Sequence, residues 1–214
     1  MAREIRRETP LAQFNAARRD VARPEAPGVS LTERPFLGHL NVRGEPDDPA
    51  FLTGVETALG FRPPLEPSTV AESGDLAALW LGPDEWLVLT RPDREAGVAG
   101  ALRNALGDLH YAITDLSGGQ TVINIAGDRA RDVLAKGCSL DLHPRVFGPG
   151  RCAQSLVGKA GVTIRQIDDS PSFDLIVRRS FAEYLALWLE DAAQEYGFAV
   201  LAADVAQDRE GRAR

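Results

Sequence analysis

Three groups of residues in this 214-residue sequence have side chains suited to chemistry. Cys138, His143 and Cys152 are all zinc-ligand types, and they fall within fifteen positions of one another. Paired zinc knuckles need closer spacing and a fourth ligand, which His39 or His110 could supply only through folding. His110, Asp115 and Ser117 have the types of a hydrolase relay. Strand alternation would put Asp115 and Ser117 on one face and His110 on the other, and no G-x-S-x-G elbow accompanies them. Gly148-Pro149-Gly150-Arg151-Cys152-Ala153 spells G-x-G-x-x-A. A dinucleotide turn needs a strand before it and a helix after it. Here a strand follows and Pro149 removes a backbone donor, so a turn feeding a hairpin is expected.

Two loops complete the inventory. Thr114–Gly119 is a strand end running into two glycines. Its N–H groups could cradle an anion, but a hairpin turn using positive φ is the simpler expectation. Asp141 and His143, in Leu140-Asp141-Leu142-His143-Pro144, are expected to fix their own loop by hydrogen bonds, because no nucleophile or electrophile stands beside them. The expected site residues are therefore catalytic none, cofactor-binding none and metal none.

The elements around these residues form a pattern that occurs twice. Leu37–Gly44 is a strand running into glycine; Asp48-Pro49 then opens a helix that ends at Gly60. Asp48 can accept orphan N–H bonds, Pro49 loses nothing at the first helical position, and Gly60 suits a left-handed cap. Gln120–Gly127 repeats the strand and glycine, and Asp128 is expected to cap a helix stopped by Gly137. Gly82–Glu85 joins strands Leu76–Leu81 and Trp86–Thr90, and Gly158–Gly161 joins Ala153–Val157 and Val162–Ile167. A weaker helix is expected over 92–106. The last helix should begin at Ser180 in a capping box with Glu183. Its apolar stripe is Phe181, Tyr184, Leu185, Trp188, Leu189 and Ala192, the spacing of a core face.

These elements predict an α+β protein of duplicated antiparallel-sheet-plus-helix units. The expected divisions are an N-terminal arm (1–28) with a short helix near Leu11–Arg19, a first repeat (29–108), a second repeat (109–203) and a polar tail (204–214). Residues 61–72, with three prolines, read as a loop. The net charge of −7 argues against a duplex nucleic-acid partner. The longest apolar runs, Leu76–Leu81 among them, are far too short for a bilayer. Residues 1–20 lack the apolar core of a secretory signal, and two cysteines do not make a disulfide framework, so a cytoplasmic protein is expected.

Several segments, in order, resemble one family. Leu81-Gly82-Pro83-Asp84-Glu85-Trp86-Leu87 is similar to a segment of the gamma subunit of heterotetrameric sarcosine oxidase. So are Gly137–Pro144, Gly150–Gln154, Arg179–Tyr184, Glu33–Phe36 and Leu40–Gly44. The resemblance spans about residues 9–200.

The resemblance implies an accessory, non-catalytic subunit that works with alpha, beta and delta subunits, and mainly with alpha. The enzyme it implies converts sarcosine to glycine, yielding methylene-tetrahydrofolate or formaldehyde together with hydrogen peroxide. It places FAD, FMN, NAD and tetrahydrofolate on the partner subunits and no cofactor on this chain. It also implies a fold similar to the folate-binding domain of aminomethyltransferases. A folate-binding or one-carbon transfer module is the alternative reading, and a metal or thiol site at Cys138, His143 and Cys152 is a third. The proline-rich 61–72 loop and the 1–28 arm are the expected contact surfaces.

Overall fold

A computed structural model describes residues 7–18 and 26–201 of the chain. Alternating burial builds its strands, and small turns join them. β4 (Leu76–Gly82) and β5 (Glu85–Thr90) form the expected hairpin. β5 turns Trp86 and Val88 towards helices and Leu87 and Leu89 the other way. β8 (Cys152–Val157) and β9 (Ala160–Asp168) form the second hairpin, with Gly158 at φ 57° in its turn.

The strands make two sheets. The first has the order β3-β4-β5-β2-β6, with β2 at Gly38–Gly44, β3 at Val70–Ser73 and β6 at Tyr111–Asp115. All its neighbours are antiparallel. The second has the order β11-β1-β7-β10-β9-β8, with β1 at Val29–Arg34, β7 at Gln120–Ala126, β10 at Ser172–Arg178 and β11 at Phe198–Leu201. Only β1 and β11 run parallel.

Helices α2 (Pro49–Leu59) and α3 (Glu95–Leu106) bury their apolar faces on the first sheet. On the second sheet lie α1 (Ala12–Arg18), α4 (Ala130–Ala135) and α5 (Ala182–Ala193). The sheets meet through Ala77, Leu79, Leu87 and Leu89 on one side and Val122, Cys152 and Ile176 on the other. The result is four layers: helix, sheet, sheet, helix.

The two sequence units trade their first strands. β1, at the start of 29–108, lies in the second sheet between β7 and β11; β6, near the start of 109–203, lies in the first sheet beside β2. The registers match. Leu40↔Asp115, Asn41↔Thr114 and Val42↔Ile113 repeat Ile123↔Glu33, Asn124↔Thr32 and Ile125↔Leu31. Ser117–Gly119 is therefore not a hairpin turn, as expected from its glycines. It is a short 3-10 turn that crosses from one sheet to the other, and neither Gly118 nor Gly119 has positive φ.

Asp48 caps α2 through the Ala50 N–H at 2.8 Å, and Gly60 closes it at φ 82°, as the sequence predicts. Two other caps differ. Arg129, not Asp128, precedes α4, and no side chain caps it. A 3-10 turn over Arg179–Phe181 leads into α5, so the Ser180–Glu183 capping box does not form. That tighter turn carries Phe181 off the helix face, leaving Phe181 41% and Tyr184 37% exposed. Ala182, Ala186 and Ala193 are buried instead, and their small side chains let α5 approach the sheet closely.

Within the expected arm, α1 packs Leu11 and Phe14 into the second core, and Arg18 stacks on Phe14 and pairs with Glu190 of α5. Positions 1–6 and 19–25 of that arm, and the expected tail, lie outside the described residues. Within 61–72, β3 begins at Val70, where only a loop is expected from the prolines.

Candidate functional site: a charged cleft between the sheets

Strand alternation sends alternate side chains of β10 to opposite faces. Phe173, Leu175 and Val177 face the helices, so Asp174 points between the sheets and is fully buried. The matching position in the first sheet is Leu87, since Asn41↔Leu87 repeats Asn124↔Asp174. One unit thus keeps an apolar residue where the other buries a carboxylate.

Three neighbours satisfy that carboxylate. Arg34 Nη1 on β1 donates at 2.6 Å, and Arg165 on β9 donates through Nε at 3.1 Å and Nη2 at 3.0 Å. Asn124 on β7 donates at 2.9 Å to the other oxygen. Arg165 Nη1 reaches Glu72 at 3.5 Å, tying β3 to the second sheet. Such a set compensates the desolvation of a buried charge.

Beside the network lies a cleft of about 590 Å³, lined among others by Arg34, Phe36, Glu72, Asp75, Arg91 and Arg165. Arg91 pairs with Asp75 at its rim. Arg165 is directed back onto Asp174, while Arg34, which also lines the cleft, remains 41% exposed. The cleft can hold a small polar group beside Arg34. Its lining includes the acidic residues Glu33, Glu72 and Asp75, and no His, Cys, Ser, Lys or Tyr among the described residues. Its arginines and carboxylates are the parts of a site for a small polar ligand.

Glu33 points the other way, beneath α1. Burial pushes its carboxyl above the usual range, opposed by hydrogen bonds from Thr9, Thr121 and Asn15 at 2.8, 3.1 and 3.0 Å. These bonds pin the N-terminal helix to the sheet.

The structure separates the zinc-type residues. Cys138 belongs to the core on the helix side of the second sheet, with Sγ 3.7 Å from Ser155 Oγ. Cys152 lies on the opposite face, between the sheets, and its thiol donates to Thr69 O at 3.3 Å. Burial raises the Cys152 thiol to about 11. His143 is exposed; its Nδ1 accepts the Arg145 N–H at 3.2 Å, and Asp141 accepts the His143 N–H at 2.9 Å, the loop-fixing bonds the sequence predicts.

His110 is likewise exposed and outside the Asp115–Ser117 pair. The histidine brought near that pair is His39. Ser117 Oγ accepts the His39 backbone N–H at 2.9 Å and donates to Asp115 at 2.5 Å. That bond, more than any other factor, holds the Asp115 carboxyl below the usual range. The His39 ring is 1% exposed, and neither ring nitrogen makes a hydrogen bond among the described residues. Burial lowers it to about 4, opposed only in part by the nearby Leu37 carbonyl and the Asp115 charge. The glycine-rich 148–153 segment is a turn, with Gly150 at φ 80°, that enters β8 as expected.

The sequence does not single out Arg34, Asn124, Arg165 or Asp174. The one available signal is Asp174 itself, a charge inside the apolar run Phe173-Asp174-Leu175-Ile176-Val177.

Comparison with known proteins fits this geometry. The family model "Sarcosine oxidase, gamma subunit family" matches residues 43–195. The chain belongs to that family. It is 35% identical to a sarcosine oxidase subunit gamma from Corynebacterium sp. (strain P-1), over 78% of this chain and 81% of the relative. It is 32% identical to another from Corynebacterium sp. (strain U-96), over 92% and 94%.

Among solved structures, it is similar to a chain of the heterotetrameric sarcosine oxidase from Corynebacterium sp. U-96, solved in complex with pyrrole 2-carboxylate. The TM-score is 0.80 at 30% identity, covering 89% of this chain and 96% of that one. The glycine cleavage system aminomethyltransferase T from Bartonella henselae shares the fold at TM-score 0.60 and 15% identity, over 83% of this chain and 48% of that one. The gamma-subunit family thus has the aminomethyltransferase-like α+β fold expected from the resemblance.

Proposed function

We propose that this chain is the accessory, non-catalytic gamma subunit of a cytoplasmic heterotetrameric sarcosine oxidase, assembled with alpha, beta and delta subunits. Alpha is its main contact in this reading. The whole enzyme oxidatively demethylates sarcosine to glycine, releasing methylene-tetrahydrofolate or formaldehyde and hydrogen peroxide. FAD, FMN, NAD and tetrahydrofolate sit on the partner subunits. The observation that carries the reading is end-to-end similarity to a chain of the heterotetrameric oxidase, 96% of which is covered. The Asp174 network supports it, because that carboxylate and Arg165 serve to join β7, β9 and β10.

The test is co-expression of this chain, tagged, with the other three subunits. All four should elute together with sarcosine-dependent peroxide production, while this chain alone should turn over no sarcosine. Failure to recover the partners, or turnover by the chain alone, refutes the proposal.

The Arg34 edge of the cleft favours folate binding as the second reading. Calorimetric titration of the full chain with tetrahydrofolate decides it. No heat together with no shift in melting temperature removes it.

A further inference from the structure

Internal duplication lets one half of this molecule report on the other. β1 and β6 are equivalent strands, in matching register with β7 and β2. The outer edge of β1 carries β11 in parallel, with Val29↔Phe198, Ser30↔Ala199 and Leu31↔Val200. Phe198 and Val200 pack on the second core beside Val29 and Leu31, which are 0% and 2% exposed.

The outer edge of β6 carries nothing among the described residues. Leu116 N–H donates inwards to His39 O, so alternation aims the N–H groups of Tyr111, Ile113 and Asp115 outwards. Tyr111 and Ile113 touch the first core yet remain only half-buried, unlike their equivalents Val29 and Leu31. Exposed edges are ordinarily blunted by shortness, charged side chains, proline or a bulge. Tyr111-Ala112-Ile113-Thr114-Asp115 has no proline or lysine, its one charge, Asp115, is turned back onto Ser117, and its pairing with β2 has no register shift.

We infer that the outer edge of β6 receives one extended segment of a partner subunit, which joins the first sheet parallel to β6 as β11 joins β1. The inference rests on the subunit reading above. The incoming segment places apolar side chains opposite Tyr111 and Ile113, as Phe198 and Val200 stand opposite Val29 and Leu31. Two copies of this chain meeting about a two-fold axis would pair β6 with β6 antiparallel. The equivalent slot on β1 is parallel, so a different chain is the occupant.

The experiment compares hydrogen exchange of the β6 amides in the full chain alone and in the co-expressed four-subunit complex. A parallel arm measures subunit recovery by tagged wild type and by Ile113→Pro. Proline there removes an outward N–H and leaves the β2 ladder intact. The expected results are exchange slowed by about tenfold or more on assembly and a similar loss of partner recovery by the variant. A wild-type complex in which β6 exchange is unchanged overturns the inference and leaves the subunit reading standing. So does β6 protection by a homodimer in the absence of partners. A wild-type chain that recovers no partner overturns both. If the variant is unstable, the exchange comparison on wild type still decides.

Discussion

Replacing His39 by leucine measures what a buried imidazole costs this fold. The ring lies between the sheets at 1% exposure, opposite Leu89 on β5. Its equivalent on β7 is Val122, wholly buried and apolar. Burial takes the imidazole from 6.5 down to about 4 in the folded chain. The unfolded chain therefore takes up the proton first, and stability that is complete above 6.5 is lost as pH falls towards 4. At about 1.4 kcal/mol per pH unit, this one group withdraws about 2 kcal/mol between pH 7.5 and pH 5. Urea unfolding at those two values should show that loss in wild type, beyond whatever other groups contribute. In His39→Leu the pH-dependent loss should shrink by about 2 kcal/mol. At pH 7.5 the variant should be no less stable, because a buried polar atom without a partner costs about 1–3 kcal/mol. An unchanged loss in the variant, or a folded-state imidazole titrating near its ordinary value by NMR, refutes the reasoning.

Other expectations follow from the packing. Asp174→Leu puts the residue of the equivalent first-sheet position beside two guanidinium groups, and should cost about 3–5 kcal/mol in urea unfolding because Arg165 is left buried with only its long contact to Glu72. Gly127→Ala should lower the melting temperature sharply: Gly127 sits at φ 120° and an added Cβ would run into the Gly28 carbonyl, so a variant melting like wild type would contradict the geometry. Cys152, with a thiol raised to about 11 by burial, should label with maleimide only on unfolding; labelling of the native chain at neutral pH would show the thiol to be accessible.

Short-range features were legible because their causes are local. The Gly82–Glu85 and Gly158–Gly161 hairpins, the Asp48 cap and the Gly60 stop each depend on a few adjacent residues. The duplication was visible for the same reason, as repeated strand–glycine–helix runs. The strand exchange left no local trace. β1 and β6 alternate in the same way whichever sheet they enter, and only pairing partners far along the chain decide. β3 and β11, with four residues each, are too short for a period to stand out. The charged cleft was hidden because Arg34, Asn124, Arg165 and Asp174 come from four strands, and only Asp174, a charge within an apolar run, stands out by itself. At α5 the helical period was right and Leu185, Leu189 and Ala192 are buried as expected, but Phe181 and Tyr184 lie at the edge of the face, where Ala182, Ala186 and Ala193 fill the core.

The traded strands also set a timetable for synthesis. A chain leaving the ribosome from its N-terminus cannot finish the first sheet when α3 emerges at Leu106, because β6 is still to come. β1, made early, waits for β7 and then for β11 near the far end of the described chain. Long-range pairing of this kind delays closure and keeps strand edges open to wrong partners. The first sheet, built wholly from residues 38–115, can close once β6 emerges, whereas a nascent or truncated product exposes β1 as a sticky edge until the last strands arrive. Chaperone demand should therefore fall mainly on β1 and the second sheet, which waits for strands from both ends of the described chain.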